Sequence, residues 1–175
     1  MKRIDDIDWA AWSGEVATLL FVVRDGQVLL IRKKRGLGAG KVNAPGGRVE
    51  GDETPAQCAV REVQEELLVT PTGLIHHGEH RFQFVDGYRL HVHVFTATGC
   101  EGQAGETEEA IPLWTPVDAI PFDEMWADDR LWIPTMLAGG RFDGRWIFDG
   151  DRIVDYVLRT DPPTGLPVHA PSGLE

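Results

Sequence analysis

Residues 47–69 read Gly47-Arg-Val-Glu-Gly-Asp-Glu53-Thr-Pro-Ala-Gln-Cys-Ala-Val-Arg61-Glu62-Val-Gln-Glu65-Glu66-Leu-Leu68-Val69. The middle of this stretch predicts a helix over 54–68. Thr54 is a good N-cap, Pro55 takes the first helical position, and Gln57 stands where a capping box needs it. At about 100° per residue, Ala56, Ala59, Val60, Val63 and Leu67 share one arc, the expected buried face. Glu62, Glu65 and Glu66 fall opposite, at spacings of three and four. Like charges so placed destabilise a helix by a few tenths of a kcal/mol per pair, and Arg61 alone cannot neutralise three carboxylates. Hard oxygen donors gathered on one face suit Mg²⁺ or Mn²⁺, with ligand phosphate completing the shell. Taken alone, the cluster also reads as a solvated acidic helix face.

Outward from this helix, residues 16–23 and 27–31 read as a β-hairpin around Asp25-Gly26. Residues 32–35 are all basic and open a glycine-rich loop running to Pro45-Gly46-Gly47. Residues 81–85 and 88–96 alternate as two strands around Asp86-Gly87, 128–137 read as a second helix, and 145–148 with 152–158 as a closing hairpin. Strands with two helices set among them predict an α+β domain with a mixed β-sheet. The expected layout is an N-terminal extension over 1–14, one domain over 15–160 and a Pro/Gly-rich tail over 161–175. Ile4, Ile7 and Ala11 fall at helical spacing, so a short docked helix is expected in the extension.

Composition narrows the function. The 175 residues suit one core. A net charge of −11 argues against nucleic-acid polymer or anionic membrane as partners. A phosphate ligand therefore needs a local basic patch or a bound cation. The longest apolar run, 16–23, is too short to span a bilayer. Two cysteines are too few for a disulfide framework, which points to a reducing, cytoplasmic setting. Oligomeric state cannot be read here.

The order Gly47, five residues, Glu53, seven residues, Arg61-Glu62-hydrophobic-x-Glu65-Glu66 resembles the Nudix box. Six residue types at fixed spacing arise by chance on the order of once in ten million starting positions. The resemblance implies the Nudix fold, a mixed sheet sandwiched between helices with a catalytic loop-helix-loop. It implies that Gly46 and Gly47 shape the loop, that Glu53 and Arg61 orient the metal face, and that Glu62, Glu65 and Glu66 bind Mg²⁺, or Mn²⁺, for diphosphate cleavage. One departure stands out: Leu68 occupies the place of the family's glycine, so an altered local backbone with retained chemistry is expected.

The resemblance covers roughly residues 16–158 and is similar in detail to the oxidised-purine nucleoside triphosphatase (8-oxo-dGTP diphosphatase, MutT-like) branch. The segments that carry it are 33–43, 91–95, 120–129 and 155–159. It implies that Asn43, Trp126, Asp128 and Asp129 hold the base, with Phe82 as an aromatic wall and Glu109 as a further acidic residue near the metal. Leu37 and Ala44-Pro45 depart from that branch beside the base pocket. Trp126 offers a stacking face, and Asn43 a donor and an acceptor. Two neighbouring carboxyls in an apolar pocket cannot both ionise cheaply, so one keeps a proton and can donate.

Other readings stay open from sequence. Asp128-Asp129 could cap the following helix, and Trp126 could be core. His91 and His93 share one strand face and could bind metal, but strand-face packing is the favoured reading. Lys33, Lys34, Arg35 and Lys41 read either as a solvated charge run or as binders of a triphosphate tail. The implied activity converts 8-oxo-dGTP to 8-oxo-dGMP and diphosphate. The rivals are a Nudix hydrolase of a dinucleoside polyphosphate or nucleotide sugar, and a non-catalytic nucleotide sensor.

Overall fold

In a computed structural model, described over residues 2–163, one mixed sheet carries both cores. Strands β1 (Glu15–Arg24) and β2 (Gln27–Lys33) form the expected hairpin. Asp25 and Gly26 take φ of 53° and 72°, the paired positive values of a type I′ turn. After the short strands β3 (Val42–Asn43) and β4 (Gly46–Arg48) comes helix α1 (Pro55–Leu67). Thr54 accepts from the Gln57 amide and Gln57 reaches back, so the capping box forms. Strands β5 (Thr70–Phe84), β6 (Arg89–Glu101) and β7 (Ala110–Pro116) follow, then α2 (Asp129–Leu137), β8 (Arg141–Asp149) and β9 (Arg152–Asp161).

The strand order is β3-β2-β1-β6-β5-β8-β9, with β4 added to β1 and β7 to β2. β1 runs parallel to β6 and β5 parallel to β8; the other pairs are antiparallel. The continuous apolar run in β1 follows from burial on both faces. Ala17 and Phe21 join the core under Trp132, Ile133 and Met136 of α2. Leu20 and Val22 join the core under Ala59, Val63 and Leu67 of α1. The sheet therefore lies between two helices, as expected. Among the described residues no helix is long and apolar enough to cross a membrane.

Several local expectations change. α1 buries Cys58, Ala59, Val63, Glu66 and Leu67, whereas Ala56 is exposed and Val60 half-buried. The buried arc thus extends onto one of the acidic residues, because β4 packs over that side. Leu68 does not alter the backbone: it adopts the left-handed conformation itself, φ 65° and ψ 22°. The N-terminal segment docks, but as a single 3-10 turn over Ile4–Asp6 instead of a helix. Ile4 packs on Ile147 and Val157, and its amide donates to Asp155 at 2.9 Å. β9 reaches Asp161, and the expected tail beyond residue 163 lies outside the described residues.

Candidate active site

α1 presents its carboxylates to a cavity of about 610 Å³. Glu66 is 7% exposed, and burial, then the neighbouring Glu62, pushes its carboxyl up to about 8. Burial likewise raises Glu62, whose carboxyl lies beside that of Glu66. Glu65 stands more open, its side chain 59% exposed. Arg61 ties this face together. It donates to Glu53 at 2.6 and 2.9 Å, to Glu62 at 2.8 Å and to Glu65 at 3.2 Å. Its bonds to Glu53, helped by the Glu50 amide, hold that carboxyl down at about 2. Glu53 and Arg61 thus form a rigid strut behind Glu62.

The loop glycines are there for space. A Cβ on Gly47 would lie 2.4 Å from the Glu62 carboxyl carbon, so the carboxylate occupies the place a side chain would fill. A Cβ on Gly46 would meet the Thr18 carbonyl oxygen at 1.9 Å, where β4 pairs with β1. Two carboxyls forced to share a proton, beside a third within reach and a cradle kept free of carbon, fit a hard divalent cation. Glu109 also lines the cavity but is held by Arg35, which lowers its carboxyl. In this conformation Glu109 is the arginine's partner, not part of the Glu62–Glu66 pair.

The basic run divides by strand alternation and loop geometry. Lys33 and Arg35 line the cavity, Lys33 donating to the Leu37 carbonyl at 2.8 Å. Lys34 turns away to Glu106, and Lys41 lies 5.3 Å from the Trp126 ring centroid. Two cations therefore face the place where phosphate would lie, and two do not.

Asn43, Phe82, Trp126, Asp128 and Asp129 all line the same cavity. Asn43 Oδ1 accepts from the Ala44 amide at 2.8 Å, which fixes the side chain and leaves its NH₂ to donate. Trp126 stands edge-on to Phe84 and Phe148 and packs beside Gly38, where a Cβ would come within 2.9 Å of its indole nitrogen. Asp128 and Asp129 are 2% and 3% exposed. Asp128 precedes α2, yet its side chain makes no capping bond. It accepts instead from Trp132 Nε1 at 2.8 Å.

Burial raises the Asp128 carboxyl to about 6, and burial together with Asp128 raises Asp129 well above the usual range. Of the two, Asp129 is the carboxyl pushed further toward keeping its proton. Its Oδ2 is buried and makes no hydrogen bond among the described residues. Such an atom costs about 1–3 kcal/mol unless a ligand satisfies it.

The sequence reading missed Phe84, Leu90 and Phe148 as walls. The period-two rule held part of the signal: Phe84 follows Phe82 at the same face.

Comparison with known proteins agrees with this geometry. The NUDIX domain profile matches residues 14–136. The chain is 45% identical over 149 residues to the oxidized purine nucleoside triphosphate hydrolase of Danio rerio, covering 84% of this chain and 96% of that one. It is 41% identical over 144 residues to the Mus musculus protein of the same name, covering 81% and 92%. Among solved structures, a MutT protein from Bacillus halodurans superposes with a TM-score of 0.74 at 27% identity, over 85% of this chain and 99% of that one.

Proposed function

The chain belongs to the NUDIX family and is a hydrolase of that family; from this premise we propose that it is a Mg²⁺-dependent nucleoside triphosphate pyrophosphohydrolase that removes oxidised purine nucleotides. The observation that carries the substrate assignment is the buried pair Asp128–Asp129. One carboxyl is anchored by Trp132, and the other is pushed toward keeping its proton, with its Oδ2 unsatisfied at the wall of the cavity that Glu66 faces. A donor and an acceptor side by side can read the edge of a purine that presents the matching pair. Trp126 and Phe82 give the base its apolar walls, and Asn43 adds a second donor. Lys33 and Arg35 supply the local positive charge that a chain of net charge −11 needs for a triphosphate.

Glu62, Glu65 and Glu66 would hold the cation, with Mn²⁺ able to replace Mg²⁺. When bound, such an ion neutralises phosphate oxygens and stabilises charge on the leaving diphosphate. A carboxylate of this face accepts the proton of the attacking water, while Arg61 and Glu53 fix its orientation. The products are a nucleoside monophosphate and diphosphate. The working unit in this reading is residues 15–160, with 1–14 docked against it.

Diphosphate release should be measured from 8-oxo-dGTP, dGTP, a dinucleoside polyphosphate and a nucleotide sugar, with Mg²⁺ and with chelator. Preference for 8-oxo-dGTP, loss in chelator, and a fall in kcat of orders of magnitude in Glu65→Gln and Glu66→Gln are expected. Normal turnover by both variants would leave α1 as merely a charged face. Preference for the nucleotide sugar or the dinucleoside would move the chain to another branch of the family.

A further inference from the structure

On the sheet face opposite the nucleotide cavity, strand alternation gathers a second set of donors. Leu90 and Val92 of β6 line the cavity, so His91 and His93 point the other way. The register sets Glu79 of β5 against His93. Glu79 Oε1 lies 2.7 Å from His91 Nε2 and 3.7 Å from His93 Nε2. One donor atom from each of the three residues falls within 4.8 Å of the others.

A β-bulge between His76 and Gly78 then completes the arrangement. Residues three apart on a regular strand face opposite ways; the extra residue brings His76 back to the face of Glu79. His76 Nε2 lies 3.1 Å from His93 Nδ1.

We propose that Glu79, His91 and His93 form a binding site for a divalent transition-metal ion of the zinc class, separate from the carboxylate face of α1. Two imidazoles and one carboxylate are a donor set that zinc accepts, with water completing the shell. Ligands at about 2.0–2.1 Å around a tetrahedral ion lie about 3.4 Å apart, so only the Glu79–His91 contact must open. His93 can donate its Nδ1–H to His76 Nε2, which leaves its own Nε2 lone pair free for metal. Such an outer hydrogen bond, here to an imidazole, fixes the tautomer of a metal-bound histidine. The three ligand side chains remain 20–30% exposed, which leaves an entry path. Arg81, level with His91 across the strands, is paired to Asp143 at 3.7 Å.

The site stands independently of the substrate assignment, and its test needs no turnover. Chelator-stripped protein in saturating Mg²⁺ should be titrated with Zn²⁺ against a chromogenic zinc chelator, and with Co²⁺ by absorption spectroscopy. Wild type should retain one equivalent of Zn²⁺ and give the intense visible bands of low-coordinate Co²⁺. His91→Gln, His93→Gln and Glu79→Gln should each weaken Zn²⁺ binding at least tenfold, and His76→Phe by about tenfold, as for other outer-shell losses. Circular dichroism identifies any variant that fails to fold, and one folded ligand variant suffices. Glu66→Gln should keep the equivalent. Zn²⁺ binding that survives the histidine changes but disappears in Glu66→Gln would overturn the proposal, leaving Glu79–His91 as an ion pair between strands. So would the absence of any bound equivalent in wild type.

Discussion

Leu68 pays a conformational cost that its own side chain does not recover. A left-handed backbone disfavours a side chain by roughly 1–2 kcal/mol, and this leucine is 60% exposed. Leu68→Gly should therefore raise the melting temperature by about 2–4 °C, the shift expected from about 1 kcal/mol in a chain of this size. Turnover should stay unchanged, because the residue lies beyond the last glutamate of α1. A fall in melting temperature would mean the leucine contributes contacts that outweigh its strain. Asp128 and Asp129 behave differently: Asp128 satisfies the buried Trp132 indole N–H, and in the proposed reading the rest of the pair's polar capacity serves a ligand. Asn at 129 offers a bulkier NH₂ in place of the OH and cannot exchange a proton with its neighbour, and Asn at 128 replaces a carboxylate acceptor with a neutral amide. Each change should lower kcat/KM for 8-oxo-dGTP by about 10–100-fold, from 1–3 kcal/mol per unpaired group. The loss on dGTP should be smaller, and the melting temperature nearly constant. Equal losses on both nucleotides, tracking a drop in melting temperature, would return the pair to a structural role. Both residues were visible in the sequence; that Asp128 does not cap α2, and that Leu68 keeps glycine's conformation, depended on tertiary packing.

Among the elements, α1 and the loop before it were the most legible, because a capping box and a fixed carboxylate spacing are local signals. β5 was the least. Residues 70–80 hold Gly73, a bulge and three histidines, and show no strand pattern until β6 supplies its partner. β7 was hidden for a related reason: Pro112 and Pro116 suppress a strand reading, yet β2 is its only neighbour in the sheet, where proline is tolerated. The two loop glycines give a contrast that tests how the element works. On Gly46 a new Cβ meets a backbone oxygen of β1, which cannot move without breaking the strand pairing. On Gly47 it meets the end of a flexible side chain. Gly46→Ala should thus lower the melting temperature by several degrees. Gly47→Ala should leave it close to wild type but displace Glu62, raising the Mg²⁺ concentration needed for half-maximal activity at least tenfold. Titrating both variants with Mg²⁺, alongside their thermal melts, checks the pair. Unchanged Mg²⁺ dependence in a folded Gly47→Ala protein would show that Glu62 has no fixed place at the metal face.

Over the whole molecule, raised and lowered titrations meet and can be separated by pH. Glu66 is held near 8 in the folded chain against 4.5 for a free glutamate. Between those values the folded state keeps a proton that the unfolded state has released, so metal-free stability falls as pH rises. His80 acts in the opposite direction at lower pH. Burial depresses it to about 3 from 6.5, so its contribution grows with pH through that range and is complete above it. From about one unit above 6.5 the histidine is essentially neutral in both states, and the slope there belongs to the raised carboxyls. In the proposed reading a divalent cation takes the place of the Glu66 proton and so opposes this loss. It leaves the slope from Asp129, which Asp129→Asn should remove. The rise in melting temperature produced by Mg²⁺ should accordingly be larger at pH 8 than at pH 6.5, and Glu66→Gln should abolish the difference. Thermal melts at closely spaced pH values, with and without Mg²⁺, measure both effects in one series. Parallel curves, with the same Mg²⁺ increment at every pH, would separate Glu66 from the metal and place the cation on the more exposed Glu65.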